Sequence, residues 1–227
     1  MTNIILITNG SRPRLLEQTL RTLLTNTPKD QYTLTVVFDG CLNYTLPTGG
    51  HISTIAIEPP VHIIGRLKNL GAWWSEKNFG RGEWIMFCDD DLAFHKDWLH
   101  KTIAPALLLE RSVPALLGGC RHPFHGVNSR FEPYKPDPLS VEFTDAVAGY
   151  CHFMRWATWD KYGPYDAHAM GIGQSEDYAL SRKIVDDGGK VGYIHPPVMA
   201  HCGITASNSK PAIGSEQIKR VPGVLYL

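Results

Sequence analysis

The chain opens on an uncharged, β-branched run, Asn3–Thr8 (NIILIT). Such a run suits a strand buried on both faces of a parallel sheet. After the turn Asn9-Gly10-Ser11 the apolar positions switch to helical spacing. Leu15, Leu16, Thr19, Leu20, Leu23 and Leu24 share a face, and the pattern ends near Asn26–Pro28. Ser11 is placed to cap this helix, with Pro13 in its first turn. A second apolar run, Tyr32–Phe38, closes on Asp39-Gly40. Strand, helix and strand in this order predict a right-handed βαβ unit and a parallel sheet. Further strands are expected at Ile52–Ile57, within Glu83–Leu92, at Pro114–Cys120, at Val141–Met154 with a break at Gly149, and at Val191–Ile194. Helices are expected at Gly65–Lys77, Asp97–Arg111, Trp156–Tyr162 and Glu176–Asp187, the last stopped by Gly188-Gly189. The pattern is that of an α/β protein with a mixed, mostly parallel sheet flanked by helices in a single domain.

Two stretches have no periodicity. Residues 121–140 are rich in Pro, His and aromatics, as functional loops are, and residues 203–227 read as a polar, partly irregular tail.

One run carries chemistry at its end. Glu83–Leu92 is apolar until it meets Asp89, Asp90 and Asp91. In open α/β sheets ligands bind beyond the carboxyl ends of the strands, where these acids would sit. Alternation along an extended segment would point Asp89 and Asp91 one way and Asp90 the other. Paired carboxylates there form a hard-oxygen site for Mg²⁺ or Mn²⁺ shared with a substrate's phosphates, and self-repulsion disfavours three adjacent acids without a cation. Asp39 falls at the same predicted edge, as a contact to a nucleotide or as a plain turn residue.

Composition narrows the partners. A formal net charge of zero leaves no basic footprint for nucleic acid or an anionic membrane. The basic stretches Arg12–Arg21 and Lys210–Arg220 read as solvated faces. Five scattered cysteines (Cys41, Cys88, Cys120, Cys151 and Cys202) without a CxxC pair suggest reduced thiols. With no basic leader and no apolar run of membrane-spanning length, the expectation is a soluble, cytoplasmic protein.

The second half adds a further constellation. A glycine-rich approach, Gly171-Ile172-Gly173-Gln174-Ser175, leads to Glu176 and Asp177. These acids either complement a helix N-terminus or supply a general base from a substrate loop. Of the tryptophans, Trp156 and Trp159 lie nearer the expected acceptor side than Trp73 and Trp74, although core packing suits most of them.

Taken in order, Asp39, the helix with Arg66 and Asn69, Asp89-Asp90-Asp91 (a DxD element), Gly149, Gly163-Pro164-Tyr165-Asp166, Glu176-Asp177 and His201 resemble the inverting nucleotide-sugar glycosyltransferases of family 2 and their GT-A-fold relatives. The resemblance covers roughly residues 3–203. It implies a Rossmann-like GT-A domain over residues 1–203, with a donor half at about 1–120, an acceptor half at about 141–203, and a tail at 204–227. It implies Asp91 and His201 as ligands of Mn²⁺ or Mg²⁺, with Asp89 at the ribose or the metal. Asp39, Arg66, Asn69, Asp89 and Asp90 would line a nucleotide-diphosphate sugar, a UDP-sugar in the first instance. Asp177 would be the catalytic base and Glu176 would orient the acceptor or the loop. The acceptor stays open: a glycan, a lipid-linked sugar, or a modified DNA base if the source is a phage. Two alternatives also stay open. One is a nucleotidyl or phosphoryl transferase, against which stands the lack of a GxxxxGK[ST] cradle. The other is a nucleotide-sugar or glycan-binding module without turnover.

Overall fold

The apolar runs become strands β1 (Thr2–Thr8) and β2 (Tyr32–Asp39), buried along their whole length, with α1 (Pro13–Asn26) between them. The computed structural model describes residues 1–40, 44–46, 49–110, 113–120, 140–167, 176–202 and 224–226. The chain continues through β3 (Ile52–Ile57), α2 (Ile64–Phe79), β4 (Trp84–Asp89), β5 (Leu92–Phe94), α3 (Trp98–Glu110) and β6 (Ala115–Gly118). Then follow β7 (Ser140–Phe143), β8 (Cys151–Arg155), α4 (Trp156–Tyr162), α5 (Glu176–Asp186), β9 (Lys190–His195), β10 (Met199–His201) and β11 (Val224–Tyr226).

Nine of these strands form one sheet in the order β11-β3-β2-β1-β4-β8-β6-β9-β7. β11, β3, β2, β1 and β4 run parallel, while β8 lies antiparallel between β4 and β6. Alternation along β1 divides the core into two faces. Ile4 and Leu6 join Leu16 and Leu20 of α1 and Trp98 of α3. Ile5 and Ile7 join Leu67 of α2, Trp159 of α4 and Ile184 of α5. The result is a helix–sheet–helix sandwich, the expected layered architecture.

α2 lies so close to the sheet that a Cβ on Gly71 would stand 2.3 Å from Ile5 Cγ2 and 2.9 Å from Val37 Cγ2. Both neighbours are stiff β-branched side chains. Gly71→Ala is therefore expected to destabilise by up to about 2 kcal/mol: overpacking costs roughly 1–3, at the upper end for contacts this short, and the gain in helix propensity returns about 1. Urea unfolding measures this, and an unchanged midpoint would refute the close approach.

The structure corrects several expectations. The stretch Val141–Met154 is two strands, not one, because β7 pairs with β9 while β8 pairs with β4 and β6. Near the end of the tail β11 adds a parallel strand to β3, a pairing that the sequence pattern did not indicate. Ser11 does not cap α1. The N-cap residue is Arg12, and the Ser11 N–H and hydroxyl both donate to Asn9 Oδ1, at 2.9 and 2.6 Å. Trp156 and Trp159 are buried; the Trp156 indole donates to Asn3 Oδ1 and Trp159 packs on Phe87, so both serve the core and neither presents a face to a ligand. The segment 121–139, the glycine-rich approach at 171–175 and Lys210–Arg220 lie outside the described residues. Among the described residues, Cys88, Cys120, Cys151 and Cys202 are free thiols, and no helix is long and apolar enough to cross a membrane.

Candidate functional site

Parallel pairing brings the carboxyl ends of β1, β2 and β4 to one edge of the sheet, carrying Thr8, Asp39 and Asp89. β1 separates β2 from β4 and Asp39 lies two residues further along than Asp89, so strand spacing and rise set their backbones about 12 Å apart.

The three adjacent acids divide differently from the alternation argument. β4 ends at Asp89, and Asp90-Asp91 form a turn into β5. Strand alternation therefore stops one residue too early to pair Asp89 with Asp91. Asp90 and Asp91 are both buried and share one counter-ion, Arg12. Its Nη1 donates to Asp91 Oδ2 at 2.6 Å and its Nη2 to Asp90 Oδ1. The Thr8 hydroxyl donates to Asp90 Oδ2 at 2.5 Å. Arg12 thus leaves the solvated face assigned to it and meets acids 78 and 79 residues away.

Asp89 answers to the other side of the edge. Burial pushes its carboxyl up to about 7; Lys68 opposes this, while Asp91, Asp90 and Glu176 add to it. Lys68, from α2, is fully buried. Its ammonium donates to Glu176 Oε1 at 2.7 Å and to the Gly149 carbonyl at 2.9 Å, and it stands 4.8 Å above the Tyr165 ring. Burial alone would lower the Lys68 value, yet Glu176, then Asp89 and Asp177, raise it above the ordinary lysine range. Asp177 Oδ2 accepts from the Gly149 N–H at 2.7 Å and Oδ1 from the Tyr178 N–H at 2.7 Å. A Cβ on Gly149 would come within 2.9 Å of Lys68 Nζ and 3.1 Å of Glu176 Oε1, so a side chain here would crowd the ion pair. Glu176 and Asp177 are thus both tied to the start of β8.

Beneath them lies a neutral imidazole. His152 is fully buried between the Val147 carbonyl, 3.0 Å from Nε2, and the Tyr165 hydroxyl, 2.7 Å from Nδ1. A carbonyl only accepts, so Nε2 carries the proton and the tyrosine donates to Nδ1. Burial, then Lys68, lowers the imidazole value to about 4. The unfolded chain takes up this proton near pH 6.5 and the folded one does not. Stability from His152 is therefore full above about pH 6.5 and declines as pH falls toward 4. The raised Asp89 acts in the opposite sense. The measurement is accordingly a difference between the stability–pH curves of the parent and of His152→Gln, expected to narrow as pH falls from 6.5. Parallel curves would refute it.

The other nucleotide candidates are placed as follows. Asp39 accepts from the Val61 and His62 N–H groups at 2.7 and 2.9 Å, folding the loop that enters α2, and its Oδ2 also lies 3.1 Å from His62 Nδ1. Asn69 brackets one residue: Nδ2 donates to the Tyr165 carbonyl and Oδ1 accepts the Tyr165 N–H, both at 2.9 Å. Its amide therefore positions Tyr165 and does not reach for a ligand. Arg66 is exposed on the first turn of α2.

His201 arrives by a device too short to see in the sequence. β10 pairs antiparallel with β5, setting His201 opposite Leu92 and beside Asp91. Nε2 of His201 stands 3.3 Å from Asp91 Oδ1, a buried oxygen that accepts no hydrogen bond among the described residues. Two adjacent ligands on an octahedral ion, each 2.0–2.1 Å from it, are about 3 Å apart. The imidazole nitrogen and the open carboxylate oxygen thus fit one divalent cation. Among the described residues no three His, Cys, Asp or Glu side chains surround a common point. A Mg²⁺-type site completed by water and substrate phosphates does not need a third.

No known family profile matches the sequence. No curated protein matches it either. Solved structures do resemble it. S. aureus TarS residues 1–349 superposes with a TM-score of 0.57 at 17% identity, over 85% of this chain and 57% of that one. GalNAc-T7, solved with UDP, GalNAc and Mn²⁺, gives 0.63 at 14%, over 88% and 43%. The mannosyltransferase PcManGT of Pyrobaculum calidifontis, solved with GDP-Man and Mn²⁺, gives 0.58 at 14%, over 85% and 56%. The chain thus spans between about two fifths and three fifths of the length of these structures.

Proposed function

We propose, starting from the GT-A fold that this chain has, that it transfers a sugar from a nucleotide-diphosphate sugar to an acceptor hydroxyl with inversion, using a divalent cation. The observation that carries this reading is the delivery of His201 Nε2 to the open Oδ1 of Asp91 by the β5–β10 pair. The same kind of ligand, a nucleotide or nucleotide-sugar with Mn²⁺, accompanies two of the similar structures. In this reading residues 1–120 form the donor half, residues 141–203 the acceptor half and residues 204–227 a tail.

Asp91 and His201 would hold Mn²⁺ or Mg²⁺, with Asp89 beside them. The cation supplies Lewis-acid stabilisation of the departing diphosphate. The residues of the chain do the rest. Asp39 shapes the loop beneath the nucleotide, and Arg66 reaches the donor from the exposed first turn of α2. Asn69 acts indirectly, through Tyr165. Glu176, locked on Lys68, is unavailable as a base and orients the first turn of α5. Asp177 takes the proton from the acceptor hydroxyl as it attacks the anomeric carbon from the far face. A UDP-sugar is the first donor to try, and the free thiols suit a cytoplasmic setting.

The test is nucleotide release from UDP-, GDP- and dTDP-sugars with Mn²⁺, Mg²⁺ or EDTA, in the parent and in Asp91→Asn. Cation-dependent release from one donor, lost in Asp91→Asn, is the expected result. Donor binding without turnover across an acceptor screen would leave a binding module, and no response to any donor would end the reading.

A further inference from the structure

We propose that Arg12 is an internal counter-ion that competes with the divalent cation for Asp91 and leaves only when a diphosphate takes the guanidinium. The inference rests on the donor site proposed above and assigns it a sequence of occupation. One carboxylate is divided between two claims: Arg12 Nη1 holds Asp91 Oδ2 at 2.6 Å, while Oδ1 stays open toward His201 at 3.3 Å. A cation on Oδ1 would stand within a few ångströms of the guanidinium, and like charges that close in a buried site oppose each other. One of the two must give way.

The structure says which. Asp90 and Asp91 are sealed at 1% exposure, whereas the Arg12 side chain is 26% exposed. The acids are fixed and the arginine is reachable. Its planar fork, now spread over Asp90 Oδ1 and Asp91 Oδ2, fits two phosphate oxygens equally well. A diphosphate that draws Arg12 away opens Asp91 to the cation, and the cation in turn binds the diphosphate. Cation and nucleotide then bind cooperatively, and linkage makes the coupling equal in both directions. Arg12 is thus a positioning residue, holding the two carboxylates in place until the donor arrives.

The experiment follows the electron paramagnetic resonance signal of free Mn²⁺ as it is titrated into the parent chain, Arg12→Gln and Arg12→Lys, with and without UDP. In the parent, saturating UDP is expected to tighten Mn²⁺ binding at least about tenfold, and Mn²⁺ to tighten UDP binding by the same factor. Arg12→Gln should bind Mn²⁺ alone at least about tenfold more tightly than the parent, with the UDP effect reduced to less than about threefold. Arg12→Lys, which keeps a charge without the fork, should fall between. A merely structural role for Arg12 would weaken Mn²⁺ binding, so the sign of the change decides. Arg12→Gln binding Mn²⁺ no more tightly than the parent overturns the proposal. If Arg12→Gln fails to fold, absence of mutual tightening in the parent, or an Arg12→Lys variant identical to it, overturns it. No Mn²⁺ binding under any condition overturns it as well. Failure of UDP to bind the parent, with or without Mn²⁺, instead sinks the donor-site reading and the diphosphate step that depends on it. The Mn²⁺-only comparison still decides whether Arg12 competes for Asp91.

Discussion

Asp177→Asn is expected to bind the donor as the parent does and to release nucleotide about 10²–10⁴-fold more slowly. The substitution keeps the shape of the side chain and removes its basicity. It also disturbs a local pattern, because both carboxylate oxygens accept backbone N–H groups, from Gly149 and from Tyr178, each at 2.7 Å. An amide can accept only one of them. Its NH₂ faces the other donor, at a stability cost of roughly 1–3 kcal/mol. The assay must therefore be run well below the unfolding temperature of the variant, with donor affinity measured in parallel. A variant within about fivefold of the parent rate would remove Asp177 as the base, since a positioned base contributes far more than that.

Lys68→Met is the largest expected stability loss. The ammonium has no exposed surface, and its removal leaves the Glu176 carboxylate, itself only 12% exposed, without its counter-charge. Breaking one side of a buried pair costs about 3–5 kcal/mol, more than the pair itself is worth against apolar replacements. For a chain of this length that corresponds to a drop of roughly 6–20 °C in melting temperature. Lys68→Met combined with Glu176→Leu should recover part of the loss, because the second change removes the stranded charge. A single variant that melts within about 2 °C of the parent would show that water reaches Glu176 freely.

The first βαβ unit was legible because its hydrophobic period changes cleanly from buried strand to amphipathic helix and back. Helices α2, α3, α4 and α5 were legible for the same reason, to within two residues at each end. β5 and β10 were not. Each is three residues long, and what makes them strands is their pairing with one another across more than a hundred residues. The edge positions of Asp39 and Asp89 followed from strand order alone. The partition of Asp89, Asp90 and Asp91 did not, since it depends on the residue at which β4 stops. Arg12 and Lys68 had no local signal at all. A charge looks solvated in sequence until its partner is known, and the partner of Lys68 lies 108 residues away. Lys68 stands between Arg66 and Asn69 in a polar stretch of helix, where nothing in the neighbouring residues marks it as buried. The fold brings Asp91 and His201 together as the family resemblance implied, while Asn69 is spent on Tyr165 and Glu176 on Lys68.

Between Asp89 and the Asp177 carboxylate, the connection runs largely through main chain. The Asp89 N–H donates to the Tyr150 carbonyl, and the next residue back, Gly149, gives its N–H to Asp177. The distance from one reactive end to the other is thus set by strand register, to which side chains contribute almost nothing. Substitutions elsewhere can change either carboxylate's surroundings while the gap between Asp89 and Asp177 stays the same. Position 149 is a point where that spacing is tight, since a Cβ there would meet Lys68 Nζ at 2.9 Å and Asp177 Cβ at 3.2 Å.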